Sequence, residues 1–564
     1  MGTRAVTTAL LPLLLLPVYA ACGAGAPPPL GDYEQFGTDA STADAATVDA
    51  TMLFGPTPLP ADDPTTCAEA AMLRSYVGCD YWPTVVANNV WSIFDFAVVV
   101  ANAGTTPATV TITGPMGTSQ TETVAPNAIQ KFFLPWVPTL KGPDANACGE
   151  SVPLTGSVVA PLSAYHLKSS VPVSVYQFNA LEYAPKGGPP GKDWSSCPGN
   201  TDCSDMNSPA YGSPIGCFSF TNDSSLLLPS TALTGNYRVT GYPGESEGMG
   251  AGAEPVMGSY FVITGTVDNT TVVVQLSASA SVLAGGGIAA TGAGGQFKLK
   301  LNAGDVAEIV GAPGDQIDLS GSQVAANQPV QVIAGTPCTQ VPEAAPACDH
   351  LEQSVFPAET LGSQHFVTVP TGPTGYATSH DVRFYGNVDG TVLTYAPGAP
   401  AGCPATLDAG QVVDCGIVDE NFEVTGSHEF AVGTFMLGGS IVDASGGLGD
   451  PSESLFVSVE QYRTKYVFLA PDDYVVSFAD IVAQTGTELV LDGTKLSLTG
   501  NTAIAAGYEV QRIQLFNEDG AHVLTASAPV GLQVLGYGSY TSYQYPGGLN
   551  LKQISAPPPP PTTP

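Results

Sequence analysis

One strand-like step recurs along this chain at nearly fixed intervals, and that recurrence constrains the fold more than any other feature. Ser170-Val171-Pro172-Val173-Ser174-Val175, Asn327-Gln328-Pro329-Val330-Gln331-Val332 and Ser527-Ala528-Pro529-Val530-Gly531-Leu532 each carry Pro-Val followed by an apolar residue two positions on. Ser427-His428-Glu429-Phe430-Ala431-Val432 keeps the pattern with Glu429 in place of proline. From 172 to 329, 429 and 529, the steps are 157, 100 and 100 residues. A start signal recurs as well: Leu228-Pro229 with Leu233 and Tyr237, Phe356-Pro357 with Leu361 and Phe366, and Phe456-Val457 with Gln461 and Tyr466. A fixed period with supersecondary content marks tandem modules, and four units follow.

The segments between these marks read as strands. Phe94 to Val100 and Thr109 to Ile112 flank Asn102-Ala103-Gly104. Tyr260-Phe261-Val262-Ile263 and Thr271-Val272-Val273-Val274 flank Asp268-Asn269. Val382-Arg383-Phe384-Tyr385 and Val392-Leu393-Thr394-Tyr395 flank Asp389-Gly390. Short β-branched runs parted by Gly, Asn or Asp are hairpin signals. The expected fold is all-β, with tandem antiparallel sandwich-like modules of about 100 residues each. The alternative is a propeller-like arrangement of four-stranded units. The expected boundaries are 66–223 (with a Gly/Pro/Ser-rich insert at 181–222), 224–350, 351–450 and 451–550, with a Pro-rich tail at 551–564.

Several of these landmarks resemble one family. They are 225–233 (SLLLPSTAL), 348–362 (CDHLEQSVFPAETLG), Asp450-Pro451-Ser452, Gly536-Tyr537-Gly538, and Ser542-Tyr543-Gln544-Tyr545-Pro546. Together they resemble the IgGFc-binding protein N-terminal domain and its bacterial relatives, across roughly residues 85–550. The resemblance implies a β-rich binding or adhesion module rather than an enzyme. No Fc-contacting motif is identifiable among the matching residues.

Charge narrows the partners. The net charge of −34 and the absence of any Lys/Arg cluster oppose a phosphate backbone, so nucleic acid is not an expected partner. Charged residues are only 12% of the chain, which argues against long Glu/Lys-laced surface helices. An acidic surface fits solubility outside the cell.

Residues 1–21 read as an export signal: Arg4, an apolar stretch at 5–16, and Pro17-Val18-Tyr19-Ala20-Ala21. The apolar stretch is too short to span a bilayer. Cleavage after Ala20 competes with a lipobox reading of Ala20-Ala21-Cys22, in which Cys22 is acylated. Setting Cys22 aside leaves Cys67, Cys79, Cys148, Cys197, Cys203, Cys217, Cys338, Cys348, Cys403 and Cys415. An even set in an exported chain reads as disulfides. Neighbours in sequence suggest Cys67–Cys79, Cys338–Cys348 and Cys403–Cys415; the other four allow three connectivities. Residues 22–65 form an anchor and acidic tether with few large apolar residues to bury.

The search for chemistry returns little. Gly244-Glu245-Ser246-Glu247-Gly248 matches G-x-S-x-G but lacks the strand and helix a nucleophile elbow needs. The six histidines show no HExxH spacing. Asp349-His350-Leu351-Glu352 is either a set of polar caps at a crossover or a metal or catalytic cluster. Asp472-Asp473 and Glu518-Asp519 are turn acids that leave a structural Ca²⁺ open, and no other cofactor is expected. Tyr537, Tyr540, Tyr543 and Tyr545 either close the last sheet or form a stacking platform. The candidate partner-binding residues are His350, Glu352, Tyr540 and Tyr543, on or near junction loops (above all 338–353), together with the insert.

The expectation is an exported, outer-membrane or cell-surface protein, held by a lipid at Cys22, that binds an extracellular protein or glycan without catalysis. The alternatives are secretion without an anchor, a glycan hydrolase working through two carboxylates, and a purely structural envelope protein.

Overall fold

The computed structural model describes residues 64–561, apart from 205–213, 246–256, 315, 344, 346, 472–473, 498–500 and 517–520. The signal segment, Cys22, nearly all of the tether, Ser246-Glu247-Gly248, Asp472-Asp473 and Glu518-Asp519 therefore lie outside the described residues.

The Pro-Val steps all sit on one kind of strand. Pro172 lies inside His166–Asn179 and Pro529 inside Ala521–Gly538, while Pro329 and Glu429 immediately precede Val330–Thr339 and Phe430–Met436. Four residues beyond each mark, the strand meets a short closing strand in the same register. The pairs are Tyr176 with Leu226, Ile333 with Ser354, Gly433 with Leu455, and Gln533 with Pro546. The recurrence in sequence is thus a recurrence in hydrogen-bonded position.

Each unit has two layers of antiparallel strands. In the second, a five-stranded sheet running from Asp349–Ser354 to Val158–Ala160 faces a four-stranded sheet centred on Thr270–Gln275. The third packs Gln364–Val367, Phe422–Gly426 and Thr391–Ala396 against Val412–Val418, His380–Gly386 and Phe430–Met436. In the first and fourth units the long strand serves both layers. His166–Asn179 pairs with Ala108–Thr113 by its first half and Phe96–Asn102 by its second. Ala521–Gly538 does the same with Arg463–Leu469 and Val476–Gln484. Alternation follows the layers. Thr270–Gln275 reads buried, half-buried, buried along its length, whereas Tyr260–Gly265, covered on both faces, is buried throughout.

The four units stand in a propeller-like arrangement, which is the alternative reading above. Its centre is made by the four closing strands, Asp223–Leu226, Asp349–Ser354, Glu453–Leu455 and Thr541–Pro546, all of them buried. The first three straddle or just follow the sequence boundary of the unit they complete, whereas Thr541–Pro546 lies just inside the end of the fourth. Apolar cores lie within the units and bridge them: Tyr176 of the first unit packs on Tyr545 of the fourth, in one cluster that also holds Tyr466 of the fourth and Phe366 of the third.

Among the described residues, ten cysteines join as Cys67–Cys79, Cys148–Cys203, Cys197–Cys217, Cys338–Cys348 and Cys403–Cys415. Two of these tie the insert, one to itself and one to the loop at Cys148. Thiol titration of the unfolded, unreduced chain is expected to find none of these ten free; two or more titratable thiols from this set would refute the pairing.

Candidate functional site

The centre is polar because its strands are. Asp223, Asp349, Asp450, Glu352, Glu453, His350 and Gln353 are wholly buried or within one percent of it. A buried polar group is costly unless it is bonded, and two aspartates here are bonded on every side. Asp223 Oδ1 accepts from Ser452 Oγ at 2.8 Å and from the Ser224 amide at 2.9 Å. Its Oδ2 accepts from the amides of Glu352 (3.1 Å) and Glu453 (3.0 Å). Asp349 Oδ1 accepts from the amides of Asn222 (2.6 Å) and His350 (2.8 Å), and Oδ2 from Thr541 Oγ1 (3.0 Å) and the Ser542 amide (3.4 Å). The Asp450 amide donates to Ser542 Oγ at 3.0 Å, and Gln544 Nε2 to the Ser452 carbonyl at 2.6 Å. The two carboxylates and these further bonds lace the four closing strands into one ring.

Glu352 faces His350 across 3.6 Å, accepts from Gln177 Nε2 at 3.3 Å and also from Asn179 Nδ2. His350 Nε2 lies 3.4 Å from the Tyr260 hydroxyl. Burial pushes Glu352 up to about 8 and His350 down to about 3, so both are neutral near pH 7. Among the described residues, no three His, Cys, Asp or Glu side chains are arranged to hold a metal ion.

Of the expected contact residues, His350, Glu352 and Tyr543 are buried inside the ring, because the strands that carry them are covered from both faces. The junction residues Asp349–Ser354 are buried with them. Tyr540 is the exception: it occupies the turn between Ala521–Gly538 and Thr541–Pro546, about half exposed at 51%.

Tyr540 has apolar company. Strand direction brings the start of Val476–Gln484, the end of Tyr508–Leu515 and the end of Ala521–Gly538 to one edge, since Ser477 pairs with Leu515 and Val476 with Tyr537. Val475 (58% exposed) and Phe516 (73%) flank those ends. The Tyr537 hydroxyl donates to the Thr371 carbonyl at 2.7 Å, which fixes the loop of the third unit that carries Tyr376, 79% exposed. Ile441 lies on the segment whose Gly447 carbonyl accepts from the Tyr540 amide. The sequence hides this rim, because its members are single residues far apart in the chain.

The two best-formed cavities have a volume of about 10 Å³ each, roughly one water. One, beside Asn88 and Lys141, lies between the first and second units; the other, beside Phe366 and Asp480, between the third and fourth.

The family model described as IgGFc binding protein matches residues 223–536, over half of the chain, from the first closing strand into the last long strand. The chain belongs to the IgGFc-binding protein family. The human IgGFc-binding protein is 27% identical over 336 residues, which is 57% of this chain and 6% of the human protein. A solved structure titled as the tetra-tandem repeat in the extending region of a large adhesion protein matches at 10% identity, covering 84% of this chain and 99% of that one. Its TM-score of 0.08 carries no argument about the fold. The family's matched stretch thus contains three of the four closing strands and most of the long strand beside the exposed rim. No described helix is long and apolar enough to cross a membrane.

Proposed function

We propose that this chain is an exported, non-enzymatic binding protein that engages an extracellular protein through the rim formed by Tyr376, Val475, Phe516 and Tyr540. The carrying observation is that exposed Val475, Phe516 and Tyr540 flank strand ends at one edge of the fourth unit, which bonds the third-unit loop carrying exposed Tyr376. Large apolar side chains exposed near one edge of a soluble chain are candidate contact residues. Tyr and Phe are also the side chains that concentrate binding energy at protein interfaces. The described part of the insert, with exposed residues on either side of Cys197, is a second contact region. Lipidation at Cys22 and an acidic tether would hold the folded part outward from an outer membrane.

The human relative's name makes an immunoglobulin Fc fragment the first probe, beside panels of extracellular proteins and glycans. Tyr376→Ala and Phe516→Ala are expected to weaken the strongest interaction by at least about tenfold each, close to 1.4 kcal/mol, with the circular dichroism spectrum unchanged. Undiminished affinity in both variants would move the site elsewhere. Turnover of any glycan or peptide by the native chain would overturn the binder reading.

A further inference from the structure

A second cluster of reactive groups lies in the first unit. Asp95 stands just before Phe96–Asn102, Glu182 just after His166–Asn179, and Lys192 in the insert. Lys192 Nζ pairs with Asp95 Oδ2 and lies 3.3 Å from Glu182 Oε1. Glu182 Oε2 accepts from the Asp95 amide at 2.9 Å, and its carboxyl also hydrogen-bonds the Asp95 carboxyl. The side chains are only 9% (Lys192), 18% (Asp95) and 5% (Glu182) exposed.

The surroundings cover most of this triad. Lys192 Nζ sits 4.5 Å from the centre of the Trp194 ring, and Trp194 packs on the buried Phe94 at 5.2 Å. The loop before Lys192 closes over the triad at Gly188, with φ +79°. A Cβ there would stand 2.6 Å from Glu182 Oε1 and 3.0 Å from Lys192 Nζ, so only glycine fits both the conformation and the space.

From this geometry we propose that Lys192 and Asp95 join covalently as a side-chain amide, with Glu182 relaying the proton. Nζ of Lys192 attacks Cγ of Asp95. The N–C bond forms and one Cγ–O bond breaks. That oxygen leaves as water, carrying two of the three ammonium protons, while the third stays on the amide nitrogen. Reactants and products balance without an oxidant, reductant or nucleotide.

Two physical features favour the step. Burial, and next the bond to Asp95, hold Glu182 up at about 8, so it can both donate and accept a proton near neutrality. The fold presses amine and carboxyl into contact, a proximity effect that reaches effective molarities of about 10⁵–10⁸ M in well-oriented pairs. The product would tie the insert to the first core strand by a bond that reducing agents leave intact, beside Cys148–Cys203 and Cys197–Cys217.

Peptide mapping of the full-length protein, reduced and unfolded before trypsin, reads this directly. The peptides carrying Asp95 and Lys192 are expected as one species, lighter than their sum by one water, with no cleavage after Lys192. Separate linear peptides, with Lys192 cleaved as a free amine, would overturn the proposal. Lys192→Arg retains the positive charge and is expected to abolish the joined species. Glu182→Gln is expected to lower its yield by at least about tenfold at a fixed time after folding; an unchanged yield would refute the relay by Glu182.

Discussion

Asp223→Ala is expected to lower the unfolding free energy by roughly 3–5 kcal/mol, because each buried donor left without a partner costs about 1–3 kcal/mol. The reason is the number of donors left behind. Asp223 accepts from the amides of Ser224, Glu352 and Glu453 and from Ser452 Oγ, on three of the four closing strands. Alanine strands all four at a centre that water does not reach. Asp223→Asn is nearly isosteric but turns an NH₂ group towards two backbone amides or towards Ser452, so it should recover little. Asp349→Ala should behave alike, since it too orphans four donors. Asp443, with side-chain bonds confined to its own exposed loop, provides the contrast: Asp443→Ala should cost under about 1 kcal/mol. Urea unfolding followed by far-ultraviolet circular dichroism measures these differences. A loss below about 1 kcal/mol for Asp223→Ala would show that the ring does not hold the units together.

The contrast between what is readable in the chain and what is not follows from locality. The Pro-Val steps are legible because a β-branched run after proline is a local signal, and each step lies on the same strand in the same register. The closing strands are not legible as a centre. DSSL and DHLEQS are polar, and a polar strand reads as surface or cap when each segment is weighed alone. They are buried only because four of them meet and satisfy one another, a tertiary arrangement that overrides strand propensity. His350 and Glu352 stand out in the sequence for their chemistry, yet that chemistry is turned inward. The rim is hidden for the opposite reason: Tyr376, Val475 and Phe516 are ordinary in sequence and become a surface only through strand ends meeting at one edge. The Lys192, Asp95 and Glu182 cluster spans nearly a hundred positions and has no spacing motif.

The buried acids and histidines also set how the fold responds to pH, and here the two groups pull in opposite directions. Glu308 and Glu352 are raised by burial from 4.5 to about 8. Glu308 accepts one bond, from the Ala87 amide at 2.8 Å, while its other oxygen has no hydrogen-bond partner among the described residues, so its ionised form is poorly compensated. Between about 4.5 and 8 the folded chain keeps protons on these acids that the unfolded chain releases. The unfolded state then binds fewer protons, and stability falls as pH rises. His350 and His380 are lowered by burial from 6.5 to about 3. Below 6.5 the unfolded chain takes up protons that the folded chain refuses, so stability falls as pH drops. The two slopes place maximum stability between about 4.5 and 6.5, mildly acidic rather than neutral. Each tenfold difference in proton affinity between the folded and unfolded chain is worth about 1.4 kcal/mol. The midpoint of thermal unfolding is therefore expected to fall by at least roughly 5 °C between pH 5.5 and pH 8.5. Glu308→Gln keeps the shape and the acceptor for Ala87 while removing the titration. It should leave stability at pH 5.5 within about 1 kcal/mol of the native chain, and make the decline towards pH 8.5 shallower. A midpoint that is flat or rising from pH 5.5 to 8.5, or a decline unchanged by Glu308→Gln, would show that these carboxylates ionise in the folded protein without penalty.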